Sequence, residues 1–223
     1  MRQTKQYYFS VEGYNEKWYF EHLEKLINQS DEAVFNAKFY IKIDKSPISR
    51  IKSINIPVYS GKEIPVFHIM DYESNENEHV KQFKKAVDEL TLVKKKYRPY
   101  KYKFGYSNFA FELWLMLHRR VCDFSVADRS KYVVYINSLY DTNFTKLKDN
   151  KNQEAFNKLL EKISLNEVKT AIRNASRLRP YQESIGYRIG EYNGFKYYKE
   201  NPDLTVNECV EIILKECGII WLH

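Results

Sequence analysis

Residues Phe9 to Phe20 read F-S-V-E-G-Y-N-E-K-W-Y-F: an apolar run stops on Glu12, Gly13 follows, and an amphipathic pattern begins. Gln6 to Val11 is rich in Tyr, Phe and Val and short enough for a buried strand. From Glu16 onward the apolar positions Tyr19, Phe20, Leu23, Leu26 and Ile27 recur at helical spacing. The unit is strand, turn, helix. Taken alone, the segment leaves Glu12 equally readable as an exposed loop acid, because charge at a solvated strand end costs little.

The same alternation continues through the first half of the chain. Phe39 to Ile43 reads as a second strand, and I-P-V-F-H-I-M, Ile64 to Met70, as a third that runs straight into Asp71. A long polar helix follows from about Glu76 to Lys94. Apolar strands with little alternation, separated by helices, predict an α/β fold: a mainly parallel sheet covered by helices on both faces. After about residue 120 the strand signals fade. Lys131 to Tyr140, Gln153 to Lys162, Leu165 to Leu178 and Val206 to Lys215 all read as helices. The expected division is therefore an α/β core over residues 1–120 and a helical C-terminal extension over 121–223, packed on that core.

Two strands that end on acids raise a chemical question. Asp71 and Glu73 are two residues apart, a spacing that places both side chains on one side of an extended segment. Ligands in open α/β sheets bind outside the carboxyl ends of the strands, and Glu12 lies at the same edge if its strand and that of Asp71 are parallel neighbours. Three carboxylates gathered there repel one another. A divalent cation removes that conflict, and all-oxygen ligation suits Mg²⁺ or Mn²⁺. The plain alternative for Asp71 and Glu73 is a solvated pair ahead of a helix.

Composition narrows the setting. The 223 residues carry 36 Lys and Arg against 29 Asp and Glu, a formal charge of +7, which favours an anionic partner, with nucleic acid, RNA or DNA, in the lead. Cys122, Cys209 and Cys217 form neither an even set nor a close ligand pair, so reduced thiols are expected. No signal-like segment opens the chain, and no run approaches the ~18 consecutive apolar residues of a membrane span. The expectation is a cytoplasmic protein without a membrane partner; a homo-oligomer is left open.

Phe109 to Leu117 is apolar almost all round and predicts a buried helix interrupted only by Glu112. Asn108, Glu112 and Arg119 fall on about one helical stripe, and Ser107 or Asn108 is placed to cap the helix. Glu112 is either half of a structural pair with a cation or backbone amide, or a further carboxylate assisting the metal site. His118 and Cys122, four apart, are too few for a zinc site. Two basic stretches remain. K-K-K-Y-R-P-Y-K-Y-K, Lys94 to Lys103, interleaves cations such as Lys95, Lys96, Arg98 and Lys101 with tyrosines, the combination that single strands prefer. The plainer reading, which carries more of the weight, is a lysine-rich helix end followed by core tyrosines. Lys169, Arg173 and Arg177 stand at i, i+4 and i+8, a single-signed stripe that suits a phosphate or an acidic protein surface.

Four blocks together resemble the RloB-like proteins, bacterial relatives of the TOPRIM domains of topoisomerases, primases and overcoming-lysogenization-defect (OLD) nucleases. They are E-G-x-x-E-x-x-Y-F at Glu12 to Phe20, the acidic strand end Asp71 to Glu73, S-N-x-x-F-E-x-W-x-x-L-H at Ser107 to His118, and N-P-x-x-x-V at Asn201 to Val206. The resemblance spans nearly the whole chain. It implies a TOPRIM-like sheet in which Glu12, Asp71 and Glu73 bind Mg²⁺ and act catalytically on phosphodiesters; Glu112, from the reading of its own helix, is the catalytic carboxylate expected to assist. It also implies a phage-defence or restriction setting beside an ABC- or AAA-type ATPase. Here the second acidic motif is Asp-x-Glu where TOPRIM proteins carry Asp-x-Asp, which lengthens one ligand arm. No Walker-type phosphate loop is present, so nucleotide hydrolysis falls to a partner. The competing expectation is a non-catalytic module that holds nucleic acid or docks on the ATPase through its basic faces.

Overall fold

The computed structural model describes residues 2–54, 63–97, 99–146 and 153–219. The N-terminal half runs β1 (Thr4–Val11), α1 (Tyr14–Gln29), β2 (Asn36–Ile43), α2 (Pro47–Ser53), β3 (Ile64–Asp71), α3 (Asn77–Lys96), β4 (Tyr100–Asn108) and α4 (Glu112–Leu117). The C-terminal half continues with α5 (Lys131–Tyr140), α6 (Gln153–Leu160), α7 (Leu165–Ala175), α8 (Leu178–Ser184), β5 (Gly190–Tyr192), β6 (Phe195–Tyr197), β7 (Asp203–Leu204) and α9 (Val206–Glu216). Among the described residues no helix is long and apolar enough to cross a membrane.

The sheet order is β2-β1-β3-β4-β7. β1 pairs in parallel with both β2 and β3, β3 pairs in parallel with β4, and β7 closes the edge antiparallel to β4. Side-chain alternation along β1 supplies both faces with core. Tyr7, Phe9 and Val11 join Phe67, Ile69 and the buried residues of α1, α4, α7 and α9. Tyr8 joins Val66, Tyr102 and the apolar residues of α2 and α3 on the other side. Phe9 is the hub of the first face, with ring centroids 4.5 Å from Phe20, 5.0 Å from Phe39 and 5.1 Å from Phe67. Full burial of such a ring contributes roughly 1.5–3 kcal/mol.

The mainly parallel α/β sheet expected from the strand pattern is present, with helices on both faces and a helical C-terminal region. Three local expectations are corrected. Strand structure does not end near residue 120: β5 and β6 form a short hairpin and β7 extends the main sheet. The helix expected over Leu165 to Leu178 is two helices, and Arg177 is the residue ahead of α8. Pro180 falls in the first turn of α8, where its missing N–H has no intrahelical partner to lose. Ser107 and Asn108 do not cap α4, because both are the last residues of β4, and the Asn108 amide donates to the Tyr198 carbonyl at 2.9 Å. The expected stripe of Asn108, Glu112 and Arg119 therefore does not exist as one helical face. Phe109 to Leu117 is buried as expected apart from the half-buried Phe109, although its helix begins only at Glu112.

Close packing of α9 on β4 depends on one missing side chain. A Cβ at Gly105 would lie 2.8 Å from Ile69 Cδ1, 3.1 Å from Cys209 Sγ and 3.3 Å from Val206 Cα. Gly105→Val is expected to lower the unfolding free energy by roughly 1–3 kcal/mol through overpacking. A urea titration checks this as a fall in midpoint with unchanged slope.

Candidate metal centre

The strand order reverses direction between β1 and β3: from β1 the chain leads outward to β2, and from β3 to β4 on the other side. Connections leaving those two strands diverge, which opens a crevice at their carboxyl ends. Glu12 is the residue after β1, and Asp71 ends β3. Each of Glu12, Asp71 and Glu73 offers one carboxylate oxygen, and these oxygens lie within 4.8 Å of one another. The three acids expected to converge do so.

Each acid is held differently. Glu12 accepts the backbone N–H of Asp71 at Oε2, 3.1 Å away, and the Lys45 ammonium at Oε1, 2.9 Å away. Asp71 is buried, and the nearest guanidinium nitrogen of Arg129 is 3.7 Å from its Oδ2. Glu73 accepts from Arg129 at 2.8 Å and faces His79 Nε2 at 3.0 Å. Ser74 Oγ lies 2.7 Å from the other nitrogen of that imidazole and fixes its plane.

Glu73 reaches the cluster by a route that the spacing did not predict. Its φ is +54°, in the left-handed region that a residue with a Cβ enters at a cost of about 1–2 kcal/mol. Its N–H donates to the Phe109 carbonyl at 3.0 Å, and the Ser74 N–H to the Tyr72 carbonyl at 2.7 Å. A tight turn, and not an extended alternation, brings Glu73 back beside Asp71. Strain held in place by surrounding hydrogen bonds is characteristic of functional sites.

Electrostatics explain how the acids coexist. Three carboxylates within 4.8 Å face two permanent cations, Lys45 and Arg129. Burial alone would lower the pKa of Arg129, but the charges of Asp71 and then Glu73 outweigh it and hold the guanidinium above its ordinary range. The donor set, three hard oxygens in a partly dry crevice, fits Mg²⁺ or Mn²⁺ better than a soft metal. Glu112 lies outside the three-oxygen cluster yet close enough for its charge to act on Arg129. It is buried at the start of α4 and accepts a long hydrogen bond from the Asn15 amide at 3.4 Å.

The basic residues lie elsewhere. α3 packs beside strands that run the opposite way, so Lys95 and Lys96, in its last turn, are at the amino edge of the sheet. Lys101 is level with Pro65, six residues before the Asp71–Ser107 level, which at ~3.3 Å per residue is about 20 Å from the acids. It pairs with Glu63 at 2.7 Å. Arg98 lies outside the described residues. Lys169 pairs with Glu32 at 2.6 Å, and Arg173 and Arg177 are exposed. None of the described basic candidates lines the crevice, which Lys45, His79 and Arg129 line instead. Nothing in the local sequence marked those three, although a histidine six residues past Glu73 was the nearest signal.

An acidic centre at the switch point of a mainly parallel α/β sheet defines the class of protein: an α/β protein with an oxygen-ligand crevice suited to a divalent cation. The chain belongs to the RloB-like family, whose model, described as RloB-like protein, matches residues 7–213. Comparison with curated proteins and with solved structures gives no match.

His118 and Cys122 do not form a metal pair. His118 Nε2 lies 3.1 Å from the Tyr19 hydroxyl and Nδ1 lies 2.8 Å from the Trp114 carbonyl, so both nitrogens are engaged. That pattern fits a neutral ring donating from Nδ1 and accepting at Nε2. Burial pulls the pKa values of both His118 and His68 down to about 4. The unfolded chain protonates them below about 6.5, so their contribution is complete above that pH and drains away as pH falls towards 4. Thermal melts stepped from pH 7 to pH 4.5 are expected to show this loss. His68→Phe should make the dependence shallower by up to about 1.4 kcal/mol per pH unit.

Proposed function

We propose that this RloB-like protein is a Mg²⁺- or Mn²⁺-dependent nuclease of TOPRIM type that hydrolyses phosphodiesters in RNA or DNA. Its setting would be abortive infection, as effector of a phage-defence system working with a partner ATPase of ABC or AAA kind. The observation that carries the reading is the convergence of Glu12, Asp71 and Glu73 at the carboxyl edge of the sheet. Those three side chains would hold the ion. A divalent cation held there supplies Lewis-acid stabilisation of the charge that develops as a phosphodiester is hydrolysed. Glu112, buried and one step behind, helps set the charge of the centre through Arg129. The Asp71 N–H locks Glu12 in place, so the ligand arms are oriented before anything binds.

A second reading has its own support. Lys45 and Arg129 already offset two of the three negative charges, and Lys95, Lys96 and Lys101 face away from the acids at the opposite edge. That arrangement suits a non-catalytic module that binds nucleic acid, or docks on the ATPase, at its amino edge.

Asp71→Asn separates the two. It keeps size and hydrogen-bonding capacity but removes a charge that the ion needs. With the cognate ATPase present, cleavage across a Mg²⁺ or Mn²⁺ titration is expected to fall by at least about 100-fold. The ion-free melting temperature should stay within about 3 °C of wild type. Nucleic-acid binding without ion is expected to hold or tighten, because one repulsive charge is gone. Equal cleavage by the two proteins would remove Asp71 from the chemistry. The amino edge has a separate check: replacing Lys95, Lys96 and Arg98 with Ala should weaken nucleic-acid binding and flatten its logarithmic salt slope by roughly 0.9 for each phosphate no longer neutralised. An unchanged slope assigns the run to helix capping and core packing.

A further inference from the structure

Among the described residues, Arg129 is the one cation that spans two of the three acids, at 2.8 Å from Glu73 Oε1 and 3.7 Å from Asp71 Oδ2. It comes from the segment between α4 and α5, and its arrival there is set by a distant motif. Asn201, the first residue of N-P-x-x-x-V, accepts the Val126 N–H at 2.7 Å and donates to the Val126 carbonyl at 3.1 Å. Ser125 Oγ donates to the Asn201 carbonyl at 2.5 Å. Asn201 is itself buried. Three hydrogen bonds thus pin residues 125–126 to the segment that precedes β7, and three residues later the chain delivers Arg129 to the crevice. A surface ion pair would need no such anchoring.

The guanidinium and a divalent ion make the same demand on the same oxygens. Both cannot be satisfied at full strength, since a positive charge a few Å from the ligands opposes a second one. The side chain of Arg129 is 35% exposed, so its planar fork, with five donors, also reaches the mouth of the crevice. Once an ion neutralises Asp71 and Glu73, the pull on the guanidinium weakens, and the strongest remaining acceptor at the mouth is the anion that enters. Two parallel N–H donors match two phosphate oxygens.

We propose that Arg129 is a charge-relay arm of the centre: it compensates Asp71 and Glu73 when no cation is bound, and grips an incoming phosphodiester by its phosphate oxygens when one is. Asn201 is the positioning residue that keeps the arm at the crevice. This rests on the divalent-cation reading of the centre given above. It makes metal binding and substrate binding cooperative, because each removes what hinders the other.

The test uses the full chain and melting temperature as readout, with Mn²⁺ alone and then inorganic phosphate as probes. Relative to its own ion-free melt, Arg129→Gln is expected to reach half-maximal stabilisation at about tenfold lower Mn²⁺ than wild type, because the competing charge is gone. At saturating Mn²⁺, phosphate should stabilise wild type further and leave Arg129→Gln unmoved. Arg129→Lys keeps the charge and loses the fork, so its Mn²⁺ midpoint should stay within about threefold of wild type while its phosphate increment shrinks. Lys45→Gln removes the cation that pairs with Glu12; it should lower the Mn²⁺ midpoint and keep the phosphate increment. An unchanged Mn²⁺ midpoint in Arg129→Gln, or a full phosphate increment in that variant, overturns the role of Arg129 and leaves the metal centre standing. Absence of any Mn²⁺ stabilisation in wild type overturns the centre and the arm together.

Discussion

The parallel alignment of β1 with β3 governs both the core and the crevice. Val11 lies level with Ile69, so the residue after β1 stands beside the end of β3, where the Asp71 N–H donates to Glu12. A slip of one residue would turn Tyr7, Phe9 and Val11 out of the larger core cluster and put Tyr8 in their place. It would also shift Glu12 by one residue relative to the Asp71 N–H that it now accepts. Hydrophobic register and acid convergence are therefore set by the same pairing, and the stability of the core holds the acids in their mutual position.

Strand and helix periodicity made most of this legible. β1, β2, β3, α1, α3 and α5 lie where the apolar spacing puts them, and the acids at two strand ends follow from that placement. What failed was β4, whose lysine- and tyrosine-rich sequence was read as a basic stretch and not as a strand, and whatever was short or long-range. β5, β6 and β7 span two or three residues each, too few for alternation to register. Glu73 was placed at the right spot for the wrong reason, since its left-handed backbone replaces the extended geometry that a two-residue spacing suggests. Lys45 and Arg129 meet their acids across 33 and 56 residues of chain, and no local pattern encodes a pairing of that kind.

The acidic cluster and the basic run lie at opposite edges of the sheet. Acids and their compensating cations occupy the carboxyl edge, whereas Lys95, Lys96 and Lys101 occupy the amino edge about 20 Å away. A net charge of +7 thus describes no single surface, and the basic candidates Lys95, Lys96 and Lys101 lie away from the centre that would use an anionic substrate. A nucleic acid touching both edges has to run along the flank of the sheet for the length of a strand. The alternative is that the two edges serve different partners.

The tether from Asn201 to the segment at Val126 has a consequence for the order in which the protein is made. Glu12, Asp71 and Glu73 emerge from the ribosome early, while the residues that seat Arg129 are joined only when the chain has grown past position 201. β7, which completes the edge of the sheet beside β4, comes later still. An unfinished chain can form the β1–β3 pairing but not the finished crevice, and domains folding from the N-terminus during synthesis pass through such partial states. The centre is in this sense completed late in translation, so a product truncated before Asn201 would carry the three acids and Arg129 without the tether that seats the guanidinium.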